Sequence, residues 1–202
     1  MAFNPKQYFK NYFKKKSTFG IVTDIIFVVL VALLVNPGTR TNVSSFFIKL
    51  TSLPPSTLDV DEQFTINQET KNWVLYDMEG NEFTFAELNN KPVFLNLWAT
   101  WCPPCIAEMP SIKDLHGEYS DKVSFVILSN ESPATIKAFA EKKGYQDLDF
   151  YYSRNTPSDF ITQSIPATFV ISTEGKVVVS KKGAARWNSS KMNNLLDGLL
   201  QN

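Results

Sequence analysis

The chain has 202 residues, 44% of them hydrophobic, which is enough for one globular domain with a sizeable core and appended segments. Twenty basic side chains balance twenty acidic ones, so no overall charge attracts nucleic acid or an acidic substrate, and nucleic acid is not an expected partner. The only two cysteines, Cys102 and Cys105, cannot build a framework of structural disulfides, so the stability must come from packing.

A basic segment followed by an apolar run begins the chain. Residues 1–18 hold five lysines and no acidic residue, and residues 19–35 are apolar except for Thr23 and Asp24. A helix over 19–35 is about 26 Å long, close to the roughly 30 Å hydrocarbon core of a bilayer. Because the lysines precede the run, the positive-inside rule predicts a single-pass anchor in the cytoplasmic membrane, with a cytoplasmic N-terminus and the rest of the chain periplasmic or otherwise extracytoplasmic.

Two alternatives to a retained anchor stay open. A cleaved signal peptide also begins with a basic stretch, and the uninterrupted apolar part, residues 25–35, is short, but the sequence "VNPGTR" that follows has no A-x-A-like cleavage site. A buried core helix is disfavoured because no polar residue recurs at helical spacing. The anchor and the cleaved signal would export the rest of the chain alike.

Residues 36–61 are predicted to form a linker. Pro37-Gly38 ends the preceding helix, and Pro54-Pro55 breaks any element between them. The apolar residues within 46–50 favour a short segment lying on the membrane surface over one that packs on the domain.

Residues 62–202 have the pattern of one α/β domain. Turn residues between short apolar runs predict hairpins around Gly80 and Gly175. Continuous apolar runs predict buried strands, and helical spacing between cap and stop residues predicts helices. The predicted strands are 92–98, 123–129, 148–152, 167–172 and 176–182, and the predicted helices are 103–119, 132–144 and 188–200. This order predicts a central sheet, parallel at first and ending in an antiparallel hairpin, with helices on both faces.

The spacing of the two cysteines has three interpretations. A zinc site needs about four ligands, and the one histidine, His116, lies a helix away. Inert core thiols are disfavoured because Cys102 stands where a buried strand turns into a helix, at the sheet edge where sites form. The positive end of that helix stabilises a Cys102 thiolate, and Cys105 is placed one turn later to attack a mixed disulfide. A redox-active dithiol that needs no metal or other cofactor is therefore favoured.

The surroundings of the pair resemble a known family. The motif "WCPPC" at 101–105 between a strand and a helix interrupted by Pro110, together with Ile165-Pro166 before a strand, resembles the thioredoxin fold. More narrowly, "VFLNLWATWCPPCIAEMP" resembles the membrane-anchored TlpA/ResA-like thiol-disulfide oxidoreductases. The resemblance covers about 70–202 and is more specific than a lone CxxC. It implies a three-layer α/β/α domain with a mixed central sheet, preceded by a transmembrane helix.

The resemblance also implies roles for individual residues. Cys102 would be the attacking thiol and Cys105 the resolving thiol, while Pro166 would be a cis proline facing the disulfide. The backbone of Ile165 would then pair with an extended substrate. The substrate surface implied around the disulfide consists of Trp101, Pro103, Pro104, Ile165 and Pro166. Family members often reduce disulfides of exported apoproteins, including apocytochromes that await haem in cytochrome c biogenesis.

Three further residues near the pair are candidates for supporting roles. Glu108 shares a helix face with Cys105 and is predicted to be the base that deprotonates the resolving thiol, with a solvated helix glutamate as the alternative. Asn96 replaces the buried aspartate that cytosolic thioredoxins carry on this strand, which leaves Glu108 as the nearest acid. Trp98 is expected to pack, and His116 to lie on the surface.

The direction of the reaction is predicted from the two prolines of the motif. Pro103 and Pro104 lack N–H donors that would stabilise a Cys102 thiolate, which favours a reducing couple and hence a reductase. The expected partners are exported proteins with disulfides or thiols and a membrane electron donor. An envelope dithiol oxidase or isomerase and a non-catalytic adaptor stay open. A peroxiredoxin-like peroxidase is disfavoured because Ala99 stands where that class needs threonine.

Overall fold

The computed structural model describes residues 17–35, 48 and 52–201. The chain divides into two compact units, residues 1–43 and 44–202. In the first unit, helix α1 spans Thr18–Val35, where the sequence predicts a membrane anchor. Nowhere in the described ranges is there a helix with both the length and the apolarity to span a bilayer. The predicted basic segment, except Ser17 and Thr18, and most of the predicted linker lie outside the described residues.

Among the described residues, the second unit contains eight strands and five helices. The strands are β1 (Phe64–Thr65), β2 (Val74–Asp77), β3 (Glu82–Thr84), β4 (Val93–Leu97), β5 (Ser124–Ser129), β6 (Phe150–Tyr152), β7 (Ala167–Ile171) and β8 (Lys176–Lys182). The helices are α2 (Gln68–Lys71), α3 (Phe85–Leu88), α4 (Pro103–Tyr119), α5 (Pro133–Lys143) and α6 (Ser190–Leu199). Short 3-10 turns span Val60–Glu62 and Ser158–Phe160.

The strands form one mixed sheet in the order β1-β8-β7-β4-β5-β6-β2-β3. Strands β4, β5 and β6 are parallel, and the other neighbours are antiparallel. This confirms the predicted parallel centre and the closing antiparallel hairpin. Because the carboxyl ends of parallel strands share one edge, the residues that follow β4, β5 and β6 meet at that edge.

The two faces of the sheet are covered by helices of different length. Alternate strand residues point to opposite faces, and in β4 Phe94 packs in one core cluster whereas Val93 and Leu95 pack in the other. The cluster with Phe94 includes side chains of the long helices α4, α5 and α6. The other includes Phe85 of α3 and Phe160 of a 3-10 turn. Helices therefore lie on both faces as predicted, but all three long ones share a single face.

Three short elements, β1, α2 and α3, are absent from the sequence prediction. Helices α2 and α3 have four residues each, too few for a hydrophobic period, and are specified by their caps. The Asn67 side chain accepts from Thr70 N–H at 2.9 Å, and Thr84 with Glu87 forms a capping box. Capping satisfies N–H groups that a short helix leaves free.

Helix α4 corrects the expectation that Pro110 interrupts it. The helix runs from Pro103 to Tyr119 with Pro110 inside. Proline removes one helical hydrogen bond and crowds the carbonyl four residues earlier, at Ile106. Met109, just before the proline, and Ile112, two positions after it, are fully buried, and their packing holds the helix together across that defect.

The β7–β8 hairpin depends on Gly175. Its φ is +80°, and a Cβ there would lie 2.9 Å from Ile66 Cγ1, a buried side chain. We expect Gly175→Ala to lower the free energy of unfolding by about 1–3 kcal/mol more than Gly80→Ala, because Gly80 has a similar φ of +90° but open space around it. Urea unfolding of both variants measures the difference, and equal losses would show that Ile66 gives way freely.

Candidate active site

The two cysteines form a disulfide where β4 passes into α4. Their Cα atoms lie 5.3 Å apart. Cys102 is the N-cap of α4, and the Cys105 N–H points at Cys102 Sγ at 3.3 Å. Pro103 and Pro104 occupy the first two helical positions, where a missing N–H costs the helix nothing. One backbone donor therefore faces the Cys102 sulfur, while Cys105 is completely buried.

The loop before β7 lies against this disulfide. The Ile165–Pro166 peptide bond is cis, as the family resemblance implies. The Ile165 carbonyl oxygen lies 3.7 Å from Cys102 Sγ, and Pro166 O accepts from Gly183 N–H at 2.8 Å. Residues about 60 positions apart in the chain thus meet at the carboxyl edge of β4.

Glu108 is buried, not solvated. It is 1% exposed, and its carboxylate accepts hydrogen bonds from Asn96 Nδ2 at 2.7 Å, Trp187 Nε1 at 3.0 Å and Ala185 N–H at 3.1 Å. Burial raises the pKa of Glu108 to about 7, although the three hydrogen bonds favour the ionised form. Near neutral pH both the protonated and the ionised form of Glu108 are therefore populated, as suits a general base.

Asn96 connects Glu108 to β7. Its Nδ2 also donates to Thr168 Oγ1 at 2.8 Å, while its Oδ1 is buried without a partner. The aspartate that stands here in cytosolic thioredoxins would place a second acid beside Glu108. The asparagine instead provides a neutral donor to it.

The other partners of Glu108 could not be found from the sequence. Trp187 and Ala185 follow the last strand, more than 75 positions from Glu108, and no motif contains them. Trp187 is fully buried and packs edge-on against Phe94 with ring centroids 5.0 Å apart. From the sequence alone it is one more core aromatic.

The two tryptophans near the disulfide have different surroundings. Trp98 is 2% exposed and packs between Phe139 and Phe150. Trp101 is 68% exposed and borders a groove of about 270 Å³ that we call the cysteine-side groove. This groove is lined by Leu97, Trp98, Trp101, Leu128, Ser129, Asn130, Ser153, Thr156, Phe160, Ile161, Thr162 and Ile165. Seven of these twelve lining residues are apolar.

Glu131, which the sequence did not single out, holds the turn that precedes Cys102. Its carboxylate accepts from Thr100 N–H at 2.6 Å and from the Thr100 hydroxyl at 2.8 Å. The Ser129 hydroxyl donates to the same carboxylate at 3.4 Å. Glu131 follows β5, so this contact ties together the residues after two neighbouring parallel strands.

We expect Thr100→Val to lower the free energy of unfolding by about 1 kcal/mol, because it removes one hydrogen bond to a half-exposed carboxylate. It should also slow the reaction of reduced Cys102 with a small disulfide, since the turn before Cys102 loosens. Urea unfolding and stopped-flow exchange measure the two effects. Thr65→Val, at an exposed strand position, is the control. A Thr100 variant that matches this control in both measurements would show that the turn needs no such contact.

His116 is more covered than predicted. Its side chain is 13% exposed, with Nε2 3.0 Å from Asp149 Oδ2, and its ring meets Phe125 edge-on at 5.0 Å. In the part of the chain that the structure describes, no group of three or more His, Cys, Asp or Glu side chains is placed to hold a metal ion.

Comparisons with known proteins agree on the kind of domain. A family model described as Redoxin matches residues 65–196. Thiol-disulfide oxidoreductase ResA from Bacillus thuringiensis subsp. konkukian (strain 97-27) is 33% identical over 129 residues, covering 61% of this chain and 73% of that protein. ResA from Bacillus subtilis (strain 168) is 30% identical over 124 residues, covering 58% of this chain and 67% of that protein.

Solved structures share the fold at lower identity. MTB dsbF, in mixed oxidized and reduced forms, has a TM-score of 0.54 at 20% identity and covers 66% of this chain and 99% of that chain. The thioredoxin domain of thiol-disulfide oxidoreductase BVU-2223 from Bacteroides vulgatus has a TM-score of 0.52 at 15% identity and covers 72% of this chain and 98% of that chain. These likenesses show a thioredoxin-like α/β fold.

Proposed function

The chain belongs to the Redoxin family and is a thiol-disulfide oxidoreductase of the ResA type, and from this premise we propose that it reduces disulfides of other proteins. The observation that carries the proposal is the disulfide itself. Cys102 caps a helix beside the carbonyl of Ile165, next to the cysteine-side groove. The electron transfer uses the two sulfurs of this pair and no cofactor.

The reaction is two successive sulfur displacements. In the reduced enzyme the Cys102 thiolate attacks one sulfur of a substrate disulfide, whose S–S bond breaks and releases the first substrate thiolate. The Cys105 thiolate then attacks Cys102 Sγ of the mixed disulfide and releases the second. Two electrons pass to the substrate, the released thiolates take up protons, and the enzyme is left as the Cys102–Cys105 disulfide. A dithiol donor must reduce it again.

Glu108 is assigned the proton transfer of the second displacement. It lies three positions after Cys105 on α4, so both side chains project from one helix face. Cys105 is buried and must lose its proton before it can attack. A carboxylate whose pKa burial raises to about 7 is matched to that task at neutral pH.

The substrate contacts are assigned to the residues around Cys102, although Cys102 and Pro166 are themselves buried. Trp101 provides an exposed aromatic face, and the half-buried Pro103 and Pro104 continue the surface along α4. Ile165, before the cis Pro166, offers backbone groups with which an extended substrate chain can pair.

The direction of electron flow can be tested by the reduction potential. The structure provides one N–H donor, from Cys105, to Cys102 Sγ, and the two prolines provide none. We expect equilibration of the purified domain with dithiothreitol or glutathione buffers to give a potential below about −200 mV, as for reductants of the thioredoxin class. A value near about −120 mV, that of a strong oxidant, would identify an oxidase instead.

A location outside the cytoplasmic membrane is also proposed. Five lysines precede an apolar segment, and the large apolar side chains of α1 from Val22 to Val31 are exposed, as is Phe19. A membrane anchor would place the domain where exported proteins, including apocytochromes before haem attachment, carry disulfides, and where a membrane electron donor reaches it.

The location is tested with alkaline phosphatase, which is active only outside the cytoplasm. We expect activity when the enzyme is fused after residue 61, retention of the full chain in the membrane after carbonate washing, and loss of both when residues 1–35 are deleted. An inactive fusion to the full N-terminal segment would place the domain in the cytoplasm.

A further inference from the structure

A second groove lies next to the one beside the disulfide. It has a volume of about 730 Å³, and β2, β6 and residues 153–157 contribute to its walls. We call it the strand-edge groove. Residues 153–157 follow the carboxyl end of β6, which is parallel to β4 and β5, so they lie at the same edge of the sheet as Cys102.

The two grooves share part of their walls. Ser153 and Thr156 line both of them. Ser153 is held in place, because its hydroxyl oxygen accepts from Trp73 Nε1 at 3.1 Å and lies 3.1 Å from Val74 O, to which it can donate. A polypeptide that extends from the cysteine-side groove past Thr156 would therefore reach the strand-edge groove.

We propose that the strand-edge groove binds the part of an unfolded polypeptide substrate that flanks its reactive cysteine, and that Arg154 binds an acidic side chain in that part. This inference rests on the proposed function, because the occupant is the substrate of Cys102. It adds a selectivity that the disulfide chemistry alone does not provide.

Arg154 is positioned for this contact. Its Nε donates to the Tyr152 hydroxyl at 2.6 Å, which uses one of the five N–H groups of the guanidinium. Arg154 is exposed, so its terminal nitrogens are open to a ligand. A guanidinium pairs with a carboxylate through two parallel hydrogen bonds, which makes aspartate or glutamate the side chain that it recognises best.

The rest of the groove suits an extended chain with few charges. Tyr76 and Tyr152 place their rings 6.3 Å apart on adjacent strands, and such aromatic faces contact peptide chains without demanding one sequence. Glu69 is the other charged side chain among the described lining residues, and it accepts from the Ser158 hydroxyl at 2.9 Å. Its charge disfavours a second acidic residue, so the groove favours a single one.

Binding is tested separately from chemistry. Two twelve-residue peptides carry serine in place of the reactive cysteine, and one has a single aspartate where the other has asparagine. Each is titrated by calorimetry into the oxidised full-length protein. We expect the aspartate peptide to bind about tenfold more tightly, and Arg154→Gln to remove that difference. Lys176→Gln is the matched control, since Lys176 is an exposed cation next to the turn at the opposite sheet edge.

The results distinguish failure of the strand-edge groove assignment from failure of the reductase proposal. Equal binding of the two peptides, or an Arg154 variant that still distinguishes them, would overturn the inference. The cysteine forms of the same peptides, joined in disulfide to glutathione, are then offered to the reduced protein. If they bind selectively but are not reduced, the groove stands and the reductase proposal fails. If they are reduced without selectivity for aspartate, the reductase stands and the groove assignment fails.

Discussion

Replacing Cys105 by alanine is expected to turn the protein into a covalent trap for its substrates. Cys102 of this variant can still attack a disulfide, but no second thiol is present to release the mixed disulfide that forms. Cys102 and Cys105 are the only cysteines, so no other thiol of this chain can replace Cys105. Turnover with a protein disulfide should fall to background while one substrate molecule stays bound to each enzyme molecule.

The trap is measured by non-reducing electrophoresis and mass spectrometry after expression in the native host. Cys102→Ser is the matched control, since it lacks the attacking sulfur and should capture nothing. Full complementation by the Cys102→Ser variant would instead support a non-catalytic adaptor. Consumption of peroxide by the wild-type protein at rates above those of protein-disulfide reduction would support a peroxidase.

Glu108→Gln is expected to remove a pH dependence from both stability and catalysis. The pKa of Glu108 rises from an ordinary 4.5 to about 7 in the folded protein. Between these values the folded state binds more protons than the unfolded state, so the free energy of unfolding falls as pH rises from about 4.5 to about 7 and is level above. The linked change is about 3 kcal/mol. The variant cannot ionise at this position and should lack that decline.

Glu108→Gln also tests whether Glu108 acts as a general base or has only a structural role. If Glu108 takes the proton of Cys105, release of the mixed disulfide in the wild-type protein should speed up as pH rises through about 7. The glutamine variant should be slower and lose that rise. Glu141→Gln, at an exposed position of α5, is the control for loss of one carboxylate. Urea unfolding from pH 4 to 9 and single-turnover release measure the two effects. A Glu108 variant with an unchanged rate profile would leave Glu108 only a packing role.

The parts of the fold that were predictable are those with local patterns. The strand before Cys102 is a continuous apolar run, α5 lies between the cap Ser132 and Gly144 at φ +73°, and Gly175 turns the last hairpin. Each signal lies within one element. The motif and the loop at Pro166 were placed together by family resemblance, because nothing local relates positions so far apart in the chain.

The surroundings of Glu108 were not predictable because they are tertiary. Helical spacing places Glu108 on the face of Cys105 but does not reveal that Trp187, from the chain after β8, closes over it. Glu131 was missed for a similar reason, since its partner Thr100 follows a different strand. In both cases tertiary packing brings together residues that no sequence period relates.

Because the Asn96 side-chain oxygen has no partner, Asn96 can form a hydrogen bond with Glu108 in both of its protonation states. While Glu108 is ionised, Asn96 presents its amide nitrogen to the carboxylate. Rotating the amide by half a turn would present the oxygen instead. That oxygen can accept one hydrogen bond from protonated Glu108 and one from the Thr168 hydroxyl. In either orientation one polar atom of the Asn96 side chain lacks a partner. Glu108 can therefore be protonated and deprotonated inside the core without a net loss of hydrogen bonds.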